Sequence, residues 1–221
     1  MTGDYYDLGT HSRPVSTGSA DAQQWFDRGL VWLFGFNHDE SIACFERALE
    51  ADPDCAMAHW GIAYALGPNY NVPWASFDAA RLHTAVALAY ERTQLAIHAS
   101  KHATAVEQAL IHALASRYPS AEPVDDCSIW DDHYAAAMRI VYREHTDDLG
   151  IAALFAEALM NRTPWALWDL VTGAPATGSD TIEAREVLET ALDDPAGRSH
   201  PGILHMYIHL MEMSPHPEAA L

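Results

Sequence analysis

The sequence predicts an all-α fold of stacked helical hairpins, an α-solenoid, and three observations predict it. Val and Ile are sparse beside Ala and Leu, and no stretch alternates apolar and polar residues as a half-buried strand does. Ala-rich stretches carrying Leu, Glu and Arg favour helix by intrinsic propensity. Pro and Gly clusters cut the chain into pieces of hairpin length.

Taken in order, residues 1–20 are polar and read as a flexible or loosely docked arm. Residues 21–221 read as one helical domain. Helices are expected at about 21–36, 39–51, 54–67, 75–97, 101–118, 128–145, 148–161, 180–193 and 199–213. A short helical turn is expected near 164–170. The loops at 119–126 and 171–179 are rich in Pro, Gly, Asp and Thr. The last residues, Pro217-Glu218-Ala219-Ala220-Leu221, read as the opening of a helix that is not finished. A solenoid needs a polar cap at its end. The expectation is therefore that a further C-terminal half, or a second helical chain, completes the last face.

A repeat runs through the first helices. Trp25, Gly29, Trp32, Phe45, Ala48 and Pro53 follow one another as large, small, aromatic, Phe, Ala and Pro. This spacing resembles the tetratricopeptide (TPR) signature, which has a 34-residue period. Small Gly29 and Ala48 let the two helices of a hairpin approach, while Trp25, Trp32 and Phe45 fill the groove between hairpins. Pro53 opens the next helix, where a missing N–H costs nothing. One period on, Ala63 takes the place of Gly29 and Leu66 that of Trp32. The register breaks at 67–74, and later helices keep hairpin spacing without the signature.

The 221 residues are 49% hydrophobic, enough to build a core and too apolar for a disordered chain. Against 12 basic residues stand 31 acidic ones, a formal charge of -19. That field repels nucleic acid and anionic membranes and favours a metal ion, a cationic substrate or a basic partner. Cys44, Cys55 and Cys127 form no CxxC pair, which suits a reducing cytosol. No apolar leader and no run of ~20 apolar residues occurs, so a cytoplasmic protein is expected. The sequence shows no Ser-His-Asp arrangement, phosphate-binding glycine loop or dinucleotide fingerprint.

Histidine is the outlier, with 13 in the chain. In the segment from His200 to Glu212, His205, His209 and Glu212 stand at i, i+4 and i+7. At about 100° per residue they span only about 60° of the helix circumference. Ile203, Leu204, Met206, Tyr207, Ile208, Leu210, Met211 and Met213 fill the rest. A helix apolar nearly all round is expected to be enclosed, with its polar stripe facing inward. Buried polar groups need partners, and one metal ion serves two imidazoles and a carboxylate together. The same side chains also suit plain hydrogen bonding between helices. Two further histidines are candidate ligands. His38 sits at the mouth of the first hairpin, beside Asn37 and Glu40, which have capping-box spacing. His59 holds the repeat position of Trp25. The loop after Trp60 breaks the repeat and carries Asn69 and Asn71, so it is a candidate binding loop. His83, His98, His102 and His112 read as surface or packing residues.

Three stretches carry a family resemblance. They are Gly29-Leu30-x-x-x-Phe34-Gly35-Phe36-Asn37-His38-x-Glu40, Ala58-x-Trp60-Gly61-x-Ala63-x-Ala65-x-Gly67-Pro68-Asn69, and His200-Pro201-Gly202-x-x-His205-x-Tyr207-Ile208-His209-x-x-Glu212. Together the chain resembles a group of bacterial TPR-containing proteins with this His-rich motif, from about Gln24 onward. The resemblance implies a TPR-like fold, a metal-dependent activity and a further helical half. One expected function is therefore a metal-binding protein, with Cu, Fe or Zn held by His205, His209 and Glu212 and by His38 or His59. It would act as an oxidoreductase or hydrolase, with Glu40, Asn69, Asn71, His200 and Tyr207 toward substrate. The alternative is a TPR scaffold that binds another protein or forms half of a two-chain assembly.

Overall fold

The computed structural model describes residues 5–221. Nine α-helices run through them: α1 (Ala20–Phe34), α2 (His38–Ala51), α3 (Ala56–Leu66), α4 (Ala79–Ala99), α5 (Ala105–Ala115), α6 (Ser128–Glu144), α7 (Leu149–Met160), α8 (Thr181–Asp193) and α9 (Pro201–Met211). Among the described residues there is no β-strand, only the isolated bridges Asn69–Val72 and Trp168–Pro175. The protein is all-helical. No helix among these residues is long and apolar enough to cross a membrane.

Side-chain caps fix most of the helix starts. Ser19, Asn37, Asp78, Thr104 and Asp148 each accept a backbone N–H from the first turn that follows. Thr104 and Glu107 form a reciprocal capping box. The box expected at Asn37 is only half made. Asn37 takes the Glu40 N–H, but the Glu40 carboxylate accepts from Tyr5 Oη at 2.7 Å. The short helical turn expected at 164–170 is absent. Trp165 holds a φ of 61°, and Asp169 Oδ1 gathers the N–H groups of Val171 and Thr172 instead. A left-handed residue and an Asx turn both stop a helix from propagating.

Helices pack on their neighbours in chain order from α1 to α9. In addition α9 lies on α7 and returns to α1, so the last helix meets the first. At the centre of the first hairpins, Phe45 is fully buried between Gly29 and Gly61. A Cβ at either glycine would come within 2.6 Å or 2.5 Å of the Phe45 ring. The close approach assigned to Gly29 is thus real, and Gly61 shares it. Trp25 and Trp32 do not fill a groove between hairpins. The arm covers them: the Tyr5 ring stands edge-on to Trp25 at 5.2 Å, and Trp32 Nε1 donates to Tyr5 Oη at 2.7 Å.

Residues 1–4 of the arm lie outside the described residues. The remainder is held by polar contacts to separate helices. Arg13 pairs with both oxygens of Asp148 at 2.7 and 2.9 Å, and Ser16 donates twice to Glu107 at 2.7 and 2.5 Å.

Candidate functional site

Helix α9 carries the site. His200 Nδ1 caps its first turn by accepting the Ile203 N–H, and Pro201 follows at the position where no N–H is needed. Ile203, Met206, Tyr207, Leu210 and Met211 are buried against the body of the protein. Leu204 and Ile208 are not; they are 39% and 48% exposed. The enclosed helix expected from its apolar composition is therefore an edge helix. Its histidines lie half-buried along the border between the packed and open faces, and Glu212, one residue beyond the helix, is exposed.

His205 and His209 are one turn apart, with ring centroids separated by 4.6 Å. The Nδ1 of His205 contacts the Phe34 carbonyl. A carbonyl only accepts, so that nitrogen carries the proton and Nε2 keeps its lone pair. Burial lowers the His205 pKa, which favours the neutral ring. The Nδ1 of His209 lies 2.8 Å from Glu212 Oε1. A carboxylate likewise only accepts, so Nδ1 carries a proton, and Nε2 is buried without a hydrogen-bond partner. Glu212 thus holds the His209 ring in place through Oε1.

Aromatic rings wall the pair. Phe36 stacks on His209 at 5.7 Å, with 17° between the planes, and lies 4.7 Å from His205. Tyr70 is 5.2 Å from His209 and stacks on Trp165 at 5.3 Å. Burial, with the Glu212 charge behind it, pushes the Tyr70 phenol up to about 12. Phe36 and Trp165 are the two non-glycine residues with positive φ among the described residues, at 58° and 61°. His38 stands edge-on to Phe36, 6.1 Å away. Its Nε2 is 3.5 Å from the Asn69 amide nitrogen. Asn69 is held in that orientation because its Oδ1 accepts the Asn71 and Val72 N–H groups, both at 2.9 Å. Burial lowers His38 to about 4; the Ala65 carbonyl opposes this and the Arg117 charge adds to it.

The other expected site residues go elsewhere. His59 faces the Pro53 carbonyl at 3.4 Å, at the opposite end of α3 from Asn69. Glu40 is taken by Tyr5. Asn71 is exposed and contributes only its backbone N–H. Tyr207 turns to α8, donating to Glu189 at 3.2 Å. His200 sits with His11 and Phe34, at 4.6 and 5.2 Å, on a separate cavity of about 620 Å³ beneath the arm. Phe36, Tyr70 and Trp165 were not singled out by sequence reasoning. Tyr70 lay in the loop already marked as irregular, while nothing local marks Trp165.

A second polar cluster lies wholly inside. Arg117 is fully buried, 3.3 Å from Asp131, with its guanidinium over the Tyr134 ring at 4.6 Å. Glu157 on α7 accepts from Tyr64 Oη at 2.6 Å. Burial raises both acids, Asp131 to about 6, against the pull of Arg117.

Among the described residues no three His, Cys, Asp or Glu side chains stand close enough together to hold a metal ion as placed. Comparison with protein-family models, curated proteins and solved structures finds no match to this chain.

Proposed function

We propose that the protein is a TPR-like helical scaffold that binds a transition-metal ion (copper, iron or zinc) through Nε2 of His205 and Nε2 of His209. One observation carries this reading. Each imidazole gives its Nδ1 proton to an oxygen acceptor, Phe34 O or Glu212 Oε1, and leaves Nε2 as a lone-pair donor. Metal-ligating histidines show this outer-shell pattern, because the acceptor fixes the tautomer and raises ligand basicity. Two imidazoles leave coordination positions open, and open positions let an ion polarise a substrate or activate a water molecule. The acidic protein, at -19, does not repel a cation. The test is metal analysis of the purified protein beside the His205→Ala/His209→Ala variant. Stoichiometric metal lost in the variant supports the reading, and equal trace metal in both removes it.

A second reading, a scaffold docking another helical chain, draws on the exposed Leu204 and Ile208 one turn apart on α9. Light scattering of Ile208→Asp beside the wild type tests it. An unchanged monomeric mass in both argues against self-association through that face.

A further inference from the structure

Two imidazoles do not complete a transition-metal site, and the question is which side chain joins them. The Phe36 ring touches three imidazoles: His205 at 4.7 Å, His209 at 5.7 Å and His38 at 6.1 Å. We infer that His38, His205 and His209 are the ligands of one three-imidazole metal site, and that the Phe36 ring, which contacts all three, is its gate. This rests on the metal reading of His205 and His209 and adds to it a third ligand and a moving part.

Part of the site is already in place. With metal–nitrogen bonds of about 2.0–2.1 Å, imidazoles on one tetrahedral ion have ring centroids roughly 5 Å apart. His205 and His209, at 4.6 Å, already stand near that spacing. Phe36 lies against both and against His38; the three imidazoles do not converge as they stand, so on this proposal the Phe36 ring swings aside and His38 turns in to the ion. The ring has a way out, because Phe36 is half-buried in the turn between α1 and α2. Its backbone is also held at a φ of 58°, a region that disfavours an aromatic side chain. Such strain is kept where surrounding structure imposes it, and it concentrates at switch regions. The other described non-glycine residue with positive φ, Trp165, also sets its ring near His209, at 6.5 Å.

His38 is suited to the role. It is the first residue of α2, where the positive end of the helix dipole favours a neutral ring with a free lone pair. Its Nε2 has only the 3.5 Å approach of the Asn69 amide, a weak contact that an ion displaces readily.

The experiment is copper(II) titration of the full chain, read by affinity and by nitrogen hyperfine splitting in electron paramagnetic resonance. Phe36→Gly removes the ring and suits the positive φ, so the turn is kept. It is expected to bind copper at least ten-fold more tightly than the wild type, with three nitrogens coupled. Adding His38→Ala to Phe36→Gly is expected to abolish that gain and return the count to two. Phe36→Gly and the double variant binding alike, with the same nitrogen count, overturn the inference. That result leaves the two-histidine reading standing, because His205→Ala/His209→Ala reports on it separately. Copper binding in every variant at the level of His205→Ala/His209→Ala overturns both.

Discussion

The α9 histidines and the Arg117 cluster are both polar groups set among apolar helices, yet one faces an open border and the other an opposite charge in the interior. Inside, Arg117 sets Nε against Asp131 and Glu157 takes the Tyr64 hydroxyl. Arg117 Nη1 and Nη2 are buried without a hydrogen-bond partner among rings such as Tyr134, so opposite charges are held together by burial as much as by hydrogen bonds. At the edge, His205 and His209 each give one nitrogen to the protein and hold the other back. Removing a partner from the inner cluster leaves a buried charge uncompensated. Removing a ring from the outer pair leaves a half-buried gap at an open border. The inner cluster therefore belongs to stability, and the outer pair is available for binding.

The largest effect that can break this contrast comes from Arg117→Ala. It strands Asp131 in the interior, and breaking a buried pair this way costs about 3–5 kcal/mol. Urea unfolding should show that loss. His205→Ala/His209→Ala should shift stability by about 1 kcal/mol or less while losing the metal, as expected of substitutions outside the tight core. If the histidine variant proves the more destabilised of the two, the division between a structural interior and a binding edge fails.

Glu212→Gln sharpens the outer half. The amide oxygen still accepts the His209 Nδ1 proton, but the charge behind it is gone. Outer-shell substitutions of this kind lower metal affinity about 10- to 100-fold. Because Glu212 is exposed, unfolding should be unchanged within about 0.5 kcal/mol. Unaltered metal affinity would show that Glu212 has no hold on the His209 ring that matters for binding.

The helices were legible because the chain punctuates itself. The expected 128–145 and 180–193 fall within a residue of α6 and α8, where Pro, Gly and Asp clusters bracket strong helix formers. The convergence of His205 and His209 followed from their spacing on one turn. The exposure of α9 did not. Apolar composition tells that a helix has surface to bury, not how many neighbours will cover it, and Leu204 and Ile208 remain open. The packing of Phe36 against the α9 histidines was also hidden. It depends on α9 returning to α1, as in the His205–Phe34 contact across 171 residues, and no local pattern encodes that. His59 and Glu40 were separated from the site by the same long-range placement. The inner cluster left one trace: Glu157 is the lone charge in the apolar run of α7, and a solitary acid in a buried helix needs a partner.

The last effect uses pH to set the inner cluster against another buried group, His200 beneath the arm. His200, 7% exposed, is held near 4 by burial, with the neighbouring His11 adding to the fall, against 6.5 in the unfolded chain. On acidification the unfolded state binds the proton first, so this contribution to stability is present above pH 6.5 and lost down to about pH 4. Asp131 runs the other way. Its folded value near 6 lies above the unfolded 3.8, so its contribution is present below about 4 and is lost as pH rises through 6. Between pH 4 and 6 the two oppose. His200→Asn keeps a good capping side chain and removes the titration. The slope from one such group is at most about 1.4 kcal/mol per pH unit. Urea unfolding at pH 7.5 and 5.0 should show the wild type losing about 2 kcal/mol more than His200→Asn. Asp131→Asn should change the same pair of measurements with the opposite sign. Equal losses in the wild type and His200→Asn would mean that the His200 ring takes up its proton as easily in the folded protein as in the unfolded chain.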